Sequence, residues 1–508
     1  MSRLPDHRRT AAAFFRFALE GGPLLAALVV LVGPTSAAAD RPREQIGNAS
    51  LGDLRFHARA MPFRHGAKEG RAEFAIRVPY QQMKFLPVDT LFEAKLRITV
   101  ELRTPSRKKV SVQSEEARVQ ITDLGVAADS LLGEIYSVGL AARQGTYRYR
   151  VTVEDMNVPR RGLVYVMKNQ KRQGVVEGTI DLGDWIFRNP SVSGIAPAWS
   201  ISEEGGRTRF SKGPYEVLPH PSGYYGLFQD VLSAYYEIYD APPPPEGRRY
   251  HLESVIVSAA RDTVFTAQDS LRVTEGTAWP HALAVDVARF AAGHYWLTLR
   301  LRSSDDAASV TSATEFDVLW KPDSWAPDAG DGYEVEASVL MSNEEALSFA
   351  LLPLGEKEAR LQELWRSVDP TPETAGNEAY VEFLRRVHHA NALYSVFGRG
   401  MFSDRGRVHL RYGEPDDIQI ERLPVGDRTL GFAMSDEIPR ESGQRISNEK
   451  SGVVDTRPFE IWSYNLRGNE IVPRRGLSET GSSLKFVFVD DQGYGDYILR
   501  YSSTPGMH

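Results

Sequence analysis

There is no cysteine in the 508 residues. That excludes disulfides, thiol nucleophiles, thiolate metal sites and a cysteine-acylated lipoprotein anchor. Long hydrophobic runs are missing too. The apolar stretch Leu24–Val32 is nine residues, well short of the ~20 that cross a bilayer. Nor is there an excess of positive charge. A formal net charge of −7 argues against a nucleic-acid binder, which needs a surplus of Lys and Arg to neutralise phosphates. Nucleophile-elbow, phosphate-loop and paired-histidine zinc motifs do not stand out either.

What is present begins with an export pattern. Arg3, Arg8, Arg9 and Arg16 precede the apolar run, and Ala37-Ala38-Ala39 offers a small-residue cleavage site before Asp40. This order is that of a secretory signal over residues 1–39, and the alternative is an uncleaved anchor. Cleavage takes the charge from −7 to −9. The expected compartment is the periplasm or the exterior, with no membrane span left after cleavage. A hydrophobic content of 42% and a charged content of 25% are those of a globular chain, with room for about three domains of ~150 residues.

Strand patterning dominates the first two thirds. From Leu91 to Arg103, Phe92, Ala94, Leu96, Ile98, Val100 and Leu102 alternate with polar residues, which marks a strand with one buried and one wet face. Two later strands share a signature. Gly145 leads into Tyr147, Tyr149, Val151 and Val153, and Gly293 leads into Tyr295, Leu297, Leu299 and Leu301. The repetition suggests two similar modules, each using this as a late strand of a β-sandwich. Further strands are expected at Leu163–Met167 and Val175–Leu182, then a polar, glycine-rich stretch. The expected fold is multidomain and mainly β: two antiparallel Ig-like or fibronectin-like sandwiches, residues 40–212 and 213–322, a linker at 323–333, and an α+β domain over 334–508.

In that last domain, Ser342 or Asn343 caps a helix, and Asp369-Pro370-Thr371-Pro372 breaks the helical stretch that follows. Tyr380, Leu384, Val387, Asn391 and Tyr394 form one helical face. Val408, Leu410 and Tyr412 alternate as a strand, and strands follow at Phe459–Tyr464, Leu484–Val489 and Tyr497–Tyr501. Residues 421–455 read as polar and irregular.

The run Gly400-Met401-Phe402-Ser403-Asp404-Arg405-Gly406-Arg407-Val408 resembles the GWxTD-domain family of bacterial exported proteins. The likeness extends through Trp365, Asp369–Pro372, Tyr412–Ile418, Phe459–Trp462 and Phe486–Asp490, covering the C-terminal ~170 residues. It implies an architecture and no particular activity. Met401 stands where the family has Trp, and Ser403 where it has Thr. Serine keeps the hydroxyl, whereas methionine keeps bulk but loses the indole donor and flat face.

Candidate chemistry gathers at Arg385, Met401, Asp404, Arg405, Arg407, Asp416, Glu460 and Trp462. One reading is a ligand-binding surface with carboxylates for acid–base work and arginines gripping an anion or a sugar. The other gives each residue to turn chemistry and ion pairing. His388 and His389 point about 100° apart on a helix and cannot share a metal from it alone. The acidic turn Asp490–Asp496 lacks the spacing of a calcium loop. No metal or cofactor is expected. The functional expectation is a non-enzymatic binding or assembly protein of the bacterial envelope whose partner is a protein or glycan. The alternative is a periplasmic hydrolase using Asp404, Asp416 or Glu460. A sensor or chaperone partner would instead show a long sheet edge or an apolar patch.

Overall fold

A computed structural model of the chain describes residues 48–504 except 67, 130, 158–171, 204–207, 305–308, 326–328, 375, 397, 426–428, 431–455, 466–467 and 473–482. The expected export signal, the strand at Leu163–Met167 and most of 421–455 lie outside the described residues.

The chain is mainly β, with several antiparallel sheets followed by helices and a C-terminal sheet. In the first sandwich, strands His57–Arg64, Glu69–Pro79 and Gly133–Arg143 form one sheet. The other runs through Gln173–Leu182, Gly145–Asp155, Leu91–Arg103 and Lys109–Ile121. Alternation decides what lies between them. Leu96, Ile98, Val100 and Leu102 meet Phe74, Ile76, Val138 and Leu140 in one core. In the second sandwich, a sheet built on Val231–Tyr239 faces one built on Arg248–Ser258, Gly293–Ser303 and Ser309–Leu319. Its core holds Leu232, Tyr236, Leu297 and Leu299.

The repeated Gly-x-Tyr signature has a physical basis. Tyr147 Oη donates to Arg143 O at 2.8 Å, and Tyr295 Oη donates to Ala291 O at 2.9 Å. Each phenol closes the corner four residues upstream, as the tyrosine corner of Ig-like sandwiches does.

The sandwiches are not strung apart. Met61, Phe63 and Ala75, on the back of the first, pack on Ala196, Ala198, Val217 and Tyr235 of the second. Two inner sheets are therefore covered on both faces, which is why His57–Arg64 and Val231–Tyr239 bury so many consecutive residues. This moves the boundary expected at 212. Ser191–Val192 and Ala196–Ser202 pair with Val231–Tyr239, and Ser211–Lys212 joins the same sheet through Tyr215–Pro219. Strands this short, built around Pro197 and small alanines at a tight seam, carry no readable period.

The expected linker at 323–333 is also structured. Pro322–Trp325 forms a turn with Ser324 and Trp325 buried, and helix α1 spans Ala329–Leu340. The cause lies in α3, Leu354–Ser367, which follows α2, Asn343–Ala350. Glu358 of α3 is fully buried and accepts from Trp320 N at 2.8 Å, Lys321 N at 3.0 Å and Tyr333 Oη at 3.0 Å. One carboxylate thus ties the helices to the end of the second sandwich. Helix α4, Glu378–Leu393, and helix α5, Asp404–Tyr412, then lead into an antiparallel sheet of Asp417–Glu421, Phe459–Tyr464, Leu484–Asp490 and Tyr497–Ser502.

Candidate functional site

The expected strand at Val408–Tyr412 is helix α5. Ser403 caps it, its hydroxyl accepting from Gly406 N at 3.1 Å, and Gly413 ends it with φ at +78°. Those are the start and stop signals of a helix. The alternation misleads because α5 is buried nearly all round, with Val408, His409, Leu410 and Tyr412 all enclosed. Two glycines permit the approach of its neighbours. A Cβ on Gly406 would lie 1.9 Å from Gly400 O, and one on Gly400 1.9 Å from Ala390 O.

The helix brings three of the eight candidate residues together. Arg405 Nη1 donates to Glu460 Oε1 at 3.0 Å, and Trp462 Nε1 donates to Glu460 Oε2 at 3.0 Å. Arg405 Nη2 reaches Gly495 O at 3.0 Å, and the guanidinium lies between the rings of Tyr394 and Tyr497. Arg405 and Glu460 are both nearly buried, so this group is a staple between α5 and the sheet. Asp404 and Arg407 pair on the first turn of α5, and Asp404 Oδ2 also accepts from Leu499 N at 2.8 Å. That bond pins the last strand to the helix.

The other three candidates lie apart. Arg385 forks onto Glu382 on the exposed side of α4 and holds that carboxyl down at about 2. Asp416 accepts from Asn465 N at 2.6 Å. Met401 is buried among the helices, and its N donates to Asn391 Oδ1 at 3.0 Å. Met401 therefore packs, and a hydrophobe of its bulk suffices there. The acidic turn after Val489 holds no open carboxylate at Asp490, which accepts from the N–H groups of Gln492, Gly493, Tyr494 and Gly495 at 2.7–3.3 Å. Among the described residues no three potential ligands converge on a metal position, and no helix is long and apolar enough to cross a membrane.

Two features escaped the sequence reading. Arg386 is buried and donates to Leu410 O, Arg411 O and Asn469 O at 2.7–3.2 Å, placing a cation on the C-terminal end of α5 where the helix dipole favours it. The second feature is a cleft of about 470 Å³ at the seam of the two sandwiches, lined by Asn48, Arg59, Ala60, Trp296 and residues 311–315. Arg59 is buried beneath it. Its guanidinium donates to Thr314 Oγ1 at 2.9 Å and to Glu315 O at 3.0 Å, and with the Asn48 amide turned so that its oxygen faces Arg59, that oxygen accepts from Nη2 at 2.7 Å. Trp296 is 39% exposed and sits directly across the ladder from Glu315. Behind them, His294 Nδ1 lies 2.9 Å from Asp317 Oδ1, and His294 Nε2 lies 3.6 Å from Glu315 Oε2. Burial opposes charge on His294, but these two carboxylates outweigh it and raise the imidazole to about 9. The pairing in turn holds Glu315 below the usual carboxylate range. A sequence signal existed: Trp296 stands on the wet side of a strand whose inward set was correctly read.

Fold and site define a class: tandem β-sandwiches joined to a helical and sheet module that is held by a capped, glycine-packed helix. Residues 334–424 match the GWxTD domain, and the chain is a GWxTD-domain-containing protein. No curated protein matches it. Solved structures with similarity include red sea bream transglutaminase, at 11% identity over 53% of this chain and 32% of that chain with a TM-score of 0.16. A Bacteroides uniformis β-glucuronidase matches at 10% identity over 49% and 26%, TM-score 0.17. A putative β-galactosidase from Bacteroides fragilis matches at 11% over 50% and 33%, TM-score 0.16. The chain spans a third or less of the length of these proteins, and likeness at such scores carries no argument about activity.

Proposed function

We propose that this protein is an exported, non-enzymatic binding or assembly component of the bacterial envelope, periplasmic or secreted, with a protein or glycan partner. One observation carries the reading. The carboxylates nominated for acid–base work are each committed to a structural bond: Asp404 to Leu499 N, Asp416 to Asn465 N, and Glu460 to Arg405 and Trp462. A two-carboxylate glycosidase needs two such groups facing one another across a space of ~5–10 Å, and each of these carboxylates is taken up by a bond within the fold. The runner-up, an envelope hydrolase, has no such observation in its favour. The cleft at the seam adds support, since pockets of a few hundred Å³ between domains are where ligands bind.

The test incubates the mature chain with isolated envelope and with purified peptidoglycan, and measures co-sedimentation beside release of reducing ends and free amino groups. The expected result is saturable co-sedimentation with no products. Product release that is lost in Glu460→Gln but kept in Arg385→Ala would overturn the reading.

A further inference from the structure

The cleft at the seam lies between two strand edges that each carry some unpaired main-chain groups among the described residues. On one side, His57–Arg64 has Glu69–Pro79 as its one strand partner among the described residues, with a single bridge from Ala49 to His57, so every second residue turns its main-chain groups toward the seam. Three of these residues are engaged. Ala58 N donates to Asn48 O at 2.8 Å, Pro62 O accepts from Gly194 N at 2.7 Å, and Arg64 N donates to Tyr239 Oη at 3.1 Å. Ala60, midway between them, has no partner for either main-chain group among the described residues. On the other side, Ser309–Leu319 pairs with Gly293–Ser303 along its length, but with Tyr224–Gly226 only from Asp317 onward. Asp317 N donates to Gly223 O at 2.9 Å and Glu315 O accepts from Arg59, which fixes the odd-numbered residues as the outward set. Thr311 and Ala313 therefore present both main-chain groups to the cleft, and Glu315 presents its N–H. None of these is bonded among the described residues.

A run of alternating unpaired N–H and C=O groups is what an extended peptide satisfies when it adds as a strand. From Thr311 to Glu315 the outward groups extend over about 13 Å of strand, at ~3.3 Å per residue. The side chains add a charge preference. Trp296 and Glu315 stand side by side on one face, and an aromatic ring beside an ionised carboxylate is the pairing that receives an ammonium or guanidinium group. We propose that the cleft binds a short extended peptide segment as an added strand, with a lysine or arginine side chain over Trp296 and against Glu315. This rests on the binding role proposed above and names its ligand class. A glycan would use the Trp296 ring and polar side chains and has no need of the outward main-chain groups.

The probe is a phage-displayed library of linear random heptapeptides, selected on the immobilised mature chain and counter-selected on its Ala313→Pro variant, which removes one outward N–H at an edge where proline is tolerated. Enriched peptides are synthesised with a fluorophore and titrated by anisotropy. The expected result is enrichment of peptides carrying a basic residue, binding at least about tenfold weaker with Glu315→Lys or Trp296→Ala, and loss of binding when the central amides of the peptide are N-methylated. The peptide modification needs no protein variant to fold, and Trp296→Ala alters a surface residue. No enrichment over the Ala313→Pro control, or binding indifferent to N-methylation, overturns the proposal. Displacement of the peptide by chitotetraose at equal or lower concentration overturns it in favour of a glycan and leaves the binding role standing. Cleavage of the bound peptide, read by mass spectrometry, sinks the non-enzymatic role while strand addition survives.

Discussion

Glu460 carries two loads at once, accepting from Arg405 on one oxygen and from Trp462 on the other. Glu460→Gln leaves the guanidinium nearly buried without its counter-charge, and breaking such a pair costs about 3–5 kcal/mol. The expected outcome is a lower apparent Tm for the variant. Replacing the pair together, Arg405→Met with Glu460→Met, should recover most of that loss, because the uncompensated charge is gone; no recovery would mean that the Trp462 hydrogen bond or packing dominates. Gly406 makes the second prediction at this scale. Its Cβ would meet Gly400 O at 1.9 Å, and backbone on both sides has nowhere to move. Gly406→Ala is expected to cost on the order of 2–4 kcal/mol, as a strained core substitution does, whereas Gly→Ala in an ordinary helix interior stabilises by about 0.5–1 kcal/mol. A rise in Tm would show that α5 has slack there. Ser403→Ala should remove about 1 kcal/mol with its cap, and Ser403→Thr should be close to neutral, since the oxygen that accepts from Gly406 N remains. Equal losses in the two variants would assign the effect to packing of the side chain.

Element by element, the long alternating strands were legible because one face of each is wet. Leu91–Arg103 and Gly293–Ser303 show it, and the shared tyrosine is a local bond that local sequence encodes. The helix at Asn343–Ala350 was legible from Ser342 and Glu345, which form a reciprocal capping box. Helix α5 was not. Its six-residue alternation fits a strand, and the stronger evidence was the pair of punctuation marks at Ser403 and Gly413. Where an element is enclosed all round, hydrophobic period says little and the caps decide. The short strands at Ser191–Ser202 failed for a related reason, since they are set by a seam between sheets that no neighbouring residue announces. The candidate site divides along the same line. Arg405, Glu460 and Trp462 lie together, as a staple between helix and sheet. The cleft was missed because its walls, residues 60 and 311–315, are some 250 positions apart.

At the scale of the molecule, the inner sheets and the helical module bury titratable groups whose preferences oppose one another. Burial, with Arg77 and Arg59 alongside, depresses His57 to about 3. Burial, with His389, Arg386 and Arg385 facing it against Glu382, depresses His409 to about 4, and neither of its ring nitrogens has a hydrogen-bond partner among the described residues. Each of these folded-state values lies below the unfolded value near 6.5. The stability they contribute is therefore complete above about pH 6.5 and falls as the pH drops below it, by about 1.4 kcal/mol per pH unit for each histidine still neutral in the fold. His294 has the opposite sign. Raised to about 9 by Asp317 and Glu315, it contributes fully below about pH 6.5 and loses that contribution as the pH rises toward 9. Burial also lowers His220 and His281, and four depressed histidines against one raised make the acid limb the steeper. Apparent Tm followed from about pH 4 to about pH 9 should fall more sharply below 6.5 than above it. Replacing His409→Leu should flatten the acid limb, because a neutral residue of similar bulk has no proton to gain, and replacing His294→Asn should flatten the alkaline limb alone. An acid limb unchanged in His409→Leu would show that the buried imidazole of His409 does not carry it.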